Sequence, residues 1–241
     1  MTKKIQVVML ALAAMFVFSA FIAQAASAEE TLLAEWLVGG NPIVAPAEEV
    51  SLTEGSLKLE DTKTIAGSSA VKCTAILDGV VKANGLDEVK EILTLGGAAI
   101  SAARPLLGTG AGSECVTVAG CAEGSTTSPI EVTPLGLPWQ TELLLMENGQ
   151  FLDIITATTI GYSILCLIFG INAEDKCTAT EETALIENSP ATGDASTPTK
   201  SAVTPNAICT QSGGAATGVN ETTEESKMKL ESGLLLTVSS V

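Results

Sequence analysis

Residues 142–147 and 150–156 are two apolar runs separated by Asn148-Gly149 alone. That dipeptide between apolar runs is the strongest short-range sign of a β-hairpin, because both residues accept the positive φ of a tight turn. A second Asn-Gly, Asn84-Gly85, follows Val80 and Val81 and reads the same way. Just upstream, residues 71–78 alternate, with Lys72, Thr74 and Asp78 able to face solvent while Val71, Cys73, Ala75 and Leu77 face a core. Residues 87–95 carry acids and lysine that would also permit a helical turn, and are read as the returning strand. Further strands are expected at residues 32–38, 56–60, 115–118, 162–169, 203–210, 227–231 and 234–239. These add up to an all-β chain: a single antiparallel sandwich or barrel-like domain of roughly ten to twelve short strands, after an N-terminal signal helix.

Lys3 and Lys4 precede an apolar run over residues 5–23, and two small-x-small frames follow, Ala23-Gln24-Ala25 and Ala26-Ser27-Ala28. These are the parts of an export signal. The second frame is preferred because Glu29 and Glu30 then open an acidic mature chain, so residues 1–28 are expected to be a signal peptide and 29–241 one secreted β-rich domain. The alternative is an uncleaved anchor, since the run is nearly long enough to span. No cysteine lies near the cut, which disfavours a lipoprotein. Removing two lysines and no acids leaves 10 basic and 28 acidic side chains, a net charge of −18. Such a surface repels nucleic acid and anionic membranes.

All six cysteines, Cys73, Cys115, Cys121, Cys166, Cys177 and Cys209, fall in the exported part. An even number in an oxidising compartment reads as up to three disulfides. Cys115 and Cys121 are expected to pair, because the five residues between them include Ala119-Gly120 and suit a short hairpin-like loop. Cys166–Cys177 and Cys73–Cys209 would complete that scheme; its competitor is Cys73–Cys166 with Cys177–Cys209. Metal binding is not expected, since the chain has no CxxC and no histidine.

Residues 154–171 contain no charge and are long enough to be a membrane-span candidate. Isoleucine and threonine dominate and Gly161 sits near the middle, which favours buried strands with a turn or bulge. Residues 178–206 and 211–226, rich in Thr, Ala, Ser, Pro or acids, read as long surface loops.

The absence of histidine removes Ser-His-Asp and Cys-His catalysis and the commonest general base. Ser69-Ala70-Val71-Lys72 spells S-x-x-K, but on an alternating strand Ser69 and Lys72 point to opposite faces. Carboxylates are plentiful enough for a paired-acid hydrolase. Trp36 and Trp139 read as core or edge packing rather than sugar platforms, and Asp87/Glu88 and Glu224/Glu225 as solvated faces. Asp78-Gly79 lacks the spaced acids of a calcium loop. Ser189-Pro190-Ala191-Thr192-Gly193 lacks the leading leucine and the apolar tail of a wall-sorting signal, and Asn220-Glu221-Thr222 is a glycosylation sequon.

The segments Ala34-Glu35-Trp36-Leu37-Val38, Cys73-Thr74-Ala75-Ile76-Leu77-Asp78-Gly79, Leu137-Pro138-Trp139 and the Gly161 to Cys177 region together resemble a group of uncharacterised secreted β-rich proteins of actinobacteria. Cys-Thr-Ala followed by Leu-Pro-Trp is distantly similar to surface proteins described as activators of alkane oxidation. The resemblance implies export, β structure and a place at the cell surface, and brings no catalytic residue with it. The expectation is a secreted or envelope-associated protein of structural or adhesive role, non-catalytic, without cofactor, nucleic-acid partner or membrane span in the mature chain. A small-ligand or glycan-binding module is the alternative, and would show an apolar pocket with a few convergent polar groups. A carboxylate-dependent hydrolase comes third, and would show two acids facing across a cleft.

Overall fold

A computed structural model describes residues 32–240, apart from 65–66, 102–103, 109–113, 123–128, 191, 199–201, 204–206, 212–217 and 223–224. The expected signal peptide, Ala191 and Glu224 therefore lie outside the described residues. The described chain is nearly all strand, in the order β1 Leu32–Val38, β2 Asn41–Pro42, β3 Glu48–Thr64, β4 Gly67–Lys82, β5 Leu86–Leu93, β6 Leu106–Gly108, β7 Cys115–Ala119, β8 Ile130–Leu135 and β9 Trp139–Leu145. There follow β10 Phe151–Ile168, β11 Ile171–Asn188, β12 Ala195–Thr197, β13 Ala202–Val203, β14 Ile208–Cys209, β15 Gly218–Thr222, β16 Ser226–Leu230 and β17 Leu236–Ser240. The all-β, antiparallel, barrel-like expectation holds. Not every strand is short, however: β3, β4, β10 and β11 run 16 to 18 residues each.

Eight strands close a hydrogen-bonded ring, each antiparallel to the next: β3 to β4, β5, β9, β10, β11, β12, β16 and back to β3. Both Asn-Gly sites turn between adjacent strands of this ring. Asn84 and Gly85 both adopt positive φ, 62° and 72°, and reverse β4 into β5. At the other hairpin the turn begins earlier than the dipeptide: Met146 N–H donates to the Gln150 carbonyl and Gly149 N–H to Met146, so Leu145 and Phe151 are the last paired residues.

The uncharged run at residues 154–171 lies in β10, the turn after it and the first residue of β11, as strand and not helix. Its bulge lies between Thr156 and Ile160, just before Gly161, and switches which residues face inward, from Asp153 to Ile160, Tyr162, Ile164, Cys166 and Ile168. A side chain on Gly161 would run into the Cys177 carbonyl of β11, so only glycine lets the strands approach here. Among the described residues no helix is long and apolar enough to cross a membrane.

The loop reading of residues 178–206 needs correction. β11 continues through Asn188, because Ala179, Glu182 and Ile186 point into the interior and pair the segment with β10 along its length. Within 211–226, residues 218–222 form β15 against β3. Thr- and Ser-rich composition hid both, although threonine is a good strand former.

The disulfides also differ from the expected scheme. They are Cys73–Cys115, Cys121–Cys166 and Cys177–Cys209, so all six cysteines are paired. Cys115–Cys121, Cys166–Cys177 and Cys73–Cys209 do not form; of the competing scheme, Cys177–Cys209 does. The expected loop from Cys115 fails because residues 115–119 are extended strand, which puts about 13 Å between its two ends. Cys115 instead faces Cys73 directly across β4–β7, and Cys177 faces Cys209 across β11–β14. The three bridges support an oxidising, extracytoplasmic environment.

Buried apolar side chains form two cores. One contains all six cysteines with Val71, Ile130, Ile164 and Ile168. The other contains Trp36, Val81, Leu143, Met228, Leu236 and Val238, where the paired β1 and β17 pack against ring strands.

Candidate functional site: an interior cavity and its buried acids

Between strands of the ring lies a partly open cavity of about 200 Å³ with almost wholly apolar walls. An eight-stranded ring is just wide enough for side chains to fill it or for one small ligand. Here the filling is incomplete because small residues stand at lining positions: Gly55 and Ala75 are directly opposed across β3–β4, and Ala184 and Gly161 line other walls. Leu57, Leu77, Ile92, Val132 and Ile155 are among the apolar side chains of the wall.

Polar groups reach the cavity at few points. Tyr162, 6% exposed, lines it, and its hydroxyl meets no partner with hydrogen-bond geometry, although the Glu60 backbone lies close. Burial, then the charges of Glu182, Asp175 and Asp61, push the phenol far above its ordinary pKa, so it stays protonated. Glu182, buried at 7% exposure, lines the same cavity. Trp139 is a cavity wall, with its indole N–H donating to the Leu135 carbonyl at 2.9 Å.

Asp61 and Asp175 are buried side by side near Tyr162. The backbone N–H of Lys63 donates to Asp61 Oδ1 at 2.8 Å, and Asp61 Oδ2 is buried. The backbone N–H of Gln211 and the Thr210 hydroxyl donate to Asp175 Oδ1 at 3.3 and 3.4 Å. Burial raises Asp175 to about 6; the Gln211 N–H opposes this, and the neighbouring Asp61 carboxyl reinforces it. Their oxygens and the sulfurs of Cys177 and Cys209 lie within 4.8 Å of one another. The sulfurs are joined in a disulfide, which leaves two carboxylates, too few ligands to build a site for a hard cation.

A second acid pair sits by the other core. Asp87 Oδ1 accepts from the Trp36 indole N–H at 3.3 Å. Burial raises Asp87 to about 7, against the opposing hydrogen bonds of Thr141 and Trp36 and the charge of Lys82. Burial and the Asp87 charge raise Asp153 well above its usual range. Asp87 is therefore not on a solvated face as expected; it alternates inward while Glu88 faces out and binds Lys82 at 2.8 Å. Trp36, 1% exposed, is core as expected. Ser69 is buried on β4, and Lys72, three residues along the same strand, is half-buried.

The six cysteines are thus the structural frame of one core, and none lies free near the cavity. The residues that shape the candidate site, Gly55, Ala75, Tyr162, Glu182 and Ala184, were not singled out for it by sequence reasoning. The available signal was glycine and alanine inside strands, where larger residues are usual. Comparison with known proteins finds no matching family model, no matching curated protein and no matching solved structure.

Proposed function

We propose that this is an extracytoplasmic, non-catalytic β protein that holds one small apolar molecule inside its strand ring. The cavity carries the reading: about 200 Å³ of space with almost wholly apolar walls, its polar lining limited to Thr53, Ser56, Tyr162, Glu182, Thr197 and Ser226. An apolar cavity of about 150 Å³ suffices to bind benzene, so the volume suits a monoaromatic or similarly compact molecule and is too small for a long acyl chain. The buried acids support the non-catalytic part, since both carboxyl pairs are enclosed rather than set across an open cleft. The disulfides, the export-type N-terminal sequence and the resemblance to secreted actinobacterial proteins support secretion. A structural or adhesive role at the cell surface draws on those same features but on nothing as specific as the cavity, so ligand binding takes precedence.

The test is a thermal-shift titration of the oxidised protein with toluene. A ligand bound only by the folded state raises Tm with concentration. The rise is expected for the parent protein and not for Ala75→Leu, which fills the cavity. If toluene leaves Tm unchanged and Ala75→Leu is destabilised by overpacking, ligand binding fails and the structural role takes its place.

A further inference from the structure

We propose, resting on the ligand-binding reading, that the occupant of the cavity is supplied by a second copy of this chain: Phe169, at the tip of the β10–β11 hairpin, enters the cavity of a neighbouring molecule. Phe169 and Gly170 alone separate Ile168 from its partner Ile171, and both take positive φ, 52° and 79°. Such a two-residue turn favours Asn-Gly. The chain places Asn84-Gly85 at a similar pair of values, 62° and 72°, and among the described residues Asn84 and Phe169 are the non-glycine positions at positive φ. A bulky side chain there is strained, and strain of this kind persists at functional positions. Packing does not offset it, since Phe169 is 78% exposed and Ile171 beside it 70%. The turn therefore displays an aromatic ring at a cost to its own backbone.

The phenylalanine side chain has the shape of toluene, so the tip presents the kind of group that the cavity volume suits. Solvent reaches the walls: Leu57, Ala75, Leu77 and Ala184 line the cavity and are only half-buried. The ring must come from another molecule, because Phe169 stands seven residues beyond Tyr162 at the far end of extended β10, about 23 Å from that wall. Tip and cavity are different surfaces of one molecule, so the contact is heterologous and repeats from copy to copy. A lipid surface suits the tip less well. Residues 154–173 contain no lysine or arginine to meet headgroups, and the first charges beyond them are Glu174 and Asp175. Copies of so acidic a chain repel one another, which opposes the contact until salt screens the charge.

Sedimentation velocity of the oxidised protein over a concentration series tests this. The parent protein should form dimers and larger species reversibly, more of them at high salt; a contact of small area is weak, so association belongs to the upper end of the series. Phe169→Asn should abolish association and leave Tm unchanged or higher, because asparagine accepts the positive φ. Ala75→Leu, which fills the cavity, should also be monomeric. A mixture of the two variants should stop at a dimer, one molecule supplying the tip and the other the cavity. Where Ala75→Leu does not fold, saturating toluene replaces it and should dissociate the parent assemblies. A parent protein that stays monomeric while toluene still raises its Tm overturns the self-docking and leaves the cavity reading standing; a monomer that toluene does not stabilise overturns both. Association that survives Phe169→Asn, or that survives a filled cavity, overturns the contact, as does Phe169-dependent pelleting of a monomeric protein with phosphatidylcholine vesicles.

Discussion

One core of this protein holds all six cysteines in three bridges, whereas the other is built around Trp36 and contains no cysteine at all. The difference follows from strand pairing. Around the Trp36 core the strands are paired through the eight-membered ring, with β1 and β17 packed against it, so hydrogen bonds and apolar burial suffice. Around the cysteine core the partners are short strands: β7, β6, β8 and β14, of five, three, six and two residues. Isolated short strands are marginal. The disulfides do the holding: Cys121–Cys166 ties the turn after β7 to β10, beside the backbone bond from Ala122 N–H to Leu167 O, and Cys177–Cys209 fastens β14 to β11. The cavity borders the cysteine core: Leu59, Cys73, Leu106, Val132 and Tyr162 belong to both, while no described residue of the Trp36 core lines it.

The largest effect expected from this contrast is on reduction. Each bridge closes a loop of 32 to 45 residues, and constraint of the unfolded chain at that length contributes about 4 kcal/mol per bridge. Hydrogen exchange after mild reduction should show amides of β7, β8 and β14 losing protection before those of β1 and β17. Simultaneous loss at both cores would break the comparison. Trp36→Ala should cost about 3–5 kcal/mol and reverse the order, with β1 and β17 opening first while the bridges stay closed; denaturant unfolding with exchange at residue resolution reads this out.

A smaller effect concerns acidity. A carboxyl whose folded pKa lies above its unfolded value binds its proton more tightly when folded. Its stabilising contribution is complete below the ordinary 3.8 and is lost as pH rises through the folded value, about 6 for Asp175 and about 7 for Asp87. Stability should therefore fall between pH 4 and pH 8, against the common trend for salt-bridged carboxylates. Asp87→Asn, which keeps an acceptor for the Trp36 indole, should flatten that profile and raise stability at pH 8 by on the order of 1–3 kcal/mol. A pH series of urea midpoints measures it, and an unchanged slope would show that the Trp36 core does not hold a protonated acid. Smallest is Ala75→Leu, expected to shift stability by less than about 1.5 kcal/mol if the side chain enters existing space; a loss above about 3 kcal/mol would mean that the wall is already packed.

How far the sequence reached can be followed residue by residue. Asn84-Gly85, Asn148-Gly149 and the alternation at residues 71–78 are local signals, and the strands they marked are present. Disulfide connectivity is not local: Cys115 lies six residues from Cys121 but opposite Cys73, and only the β4–β7 register says so. The buried acids were hidden for the same reason. Asp87 and Glu88 look equivalent as neighbours until strand parity sends one inward and the other to Lys82. Parity itself changes at the Thr156/Ile160 bulge, which no composition announces. The cavity depends on Gly55, Ala75, Gly161 and Ala184 meeting from β3, β4, β10 and β11, a coincidence visible only after the ring has closed.

The central claim is that the ring holds ligand-sized apolar space, and crystals of the oxidised protein under xenon pressure test it most directly, since xenon enters apolar cavities that water avoids. The account predicts xenon density bounded by Leu57, Ala75, Tyr162 and Ala184, abolished in Ala75→Leu. Side chains closed over that volume, with no xenon among these residues, would contradict it.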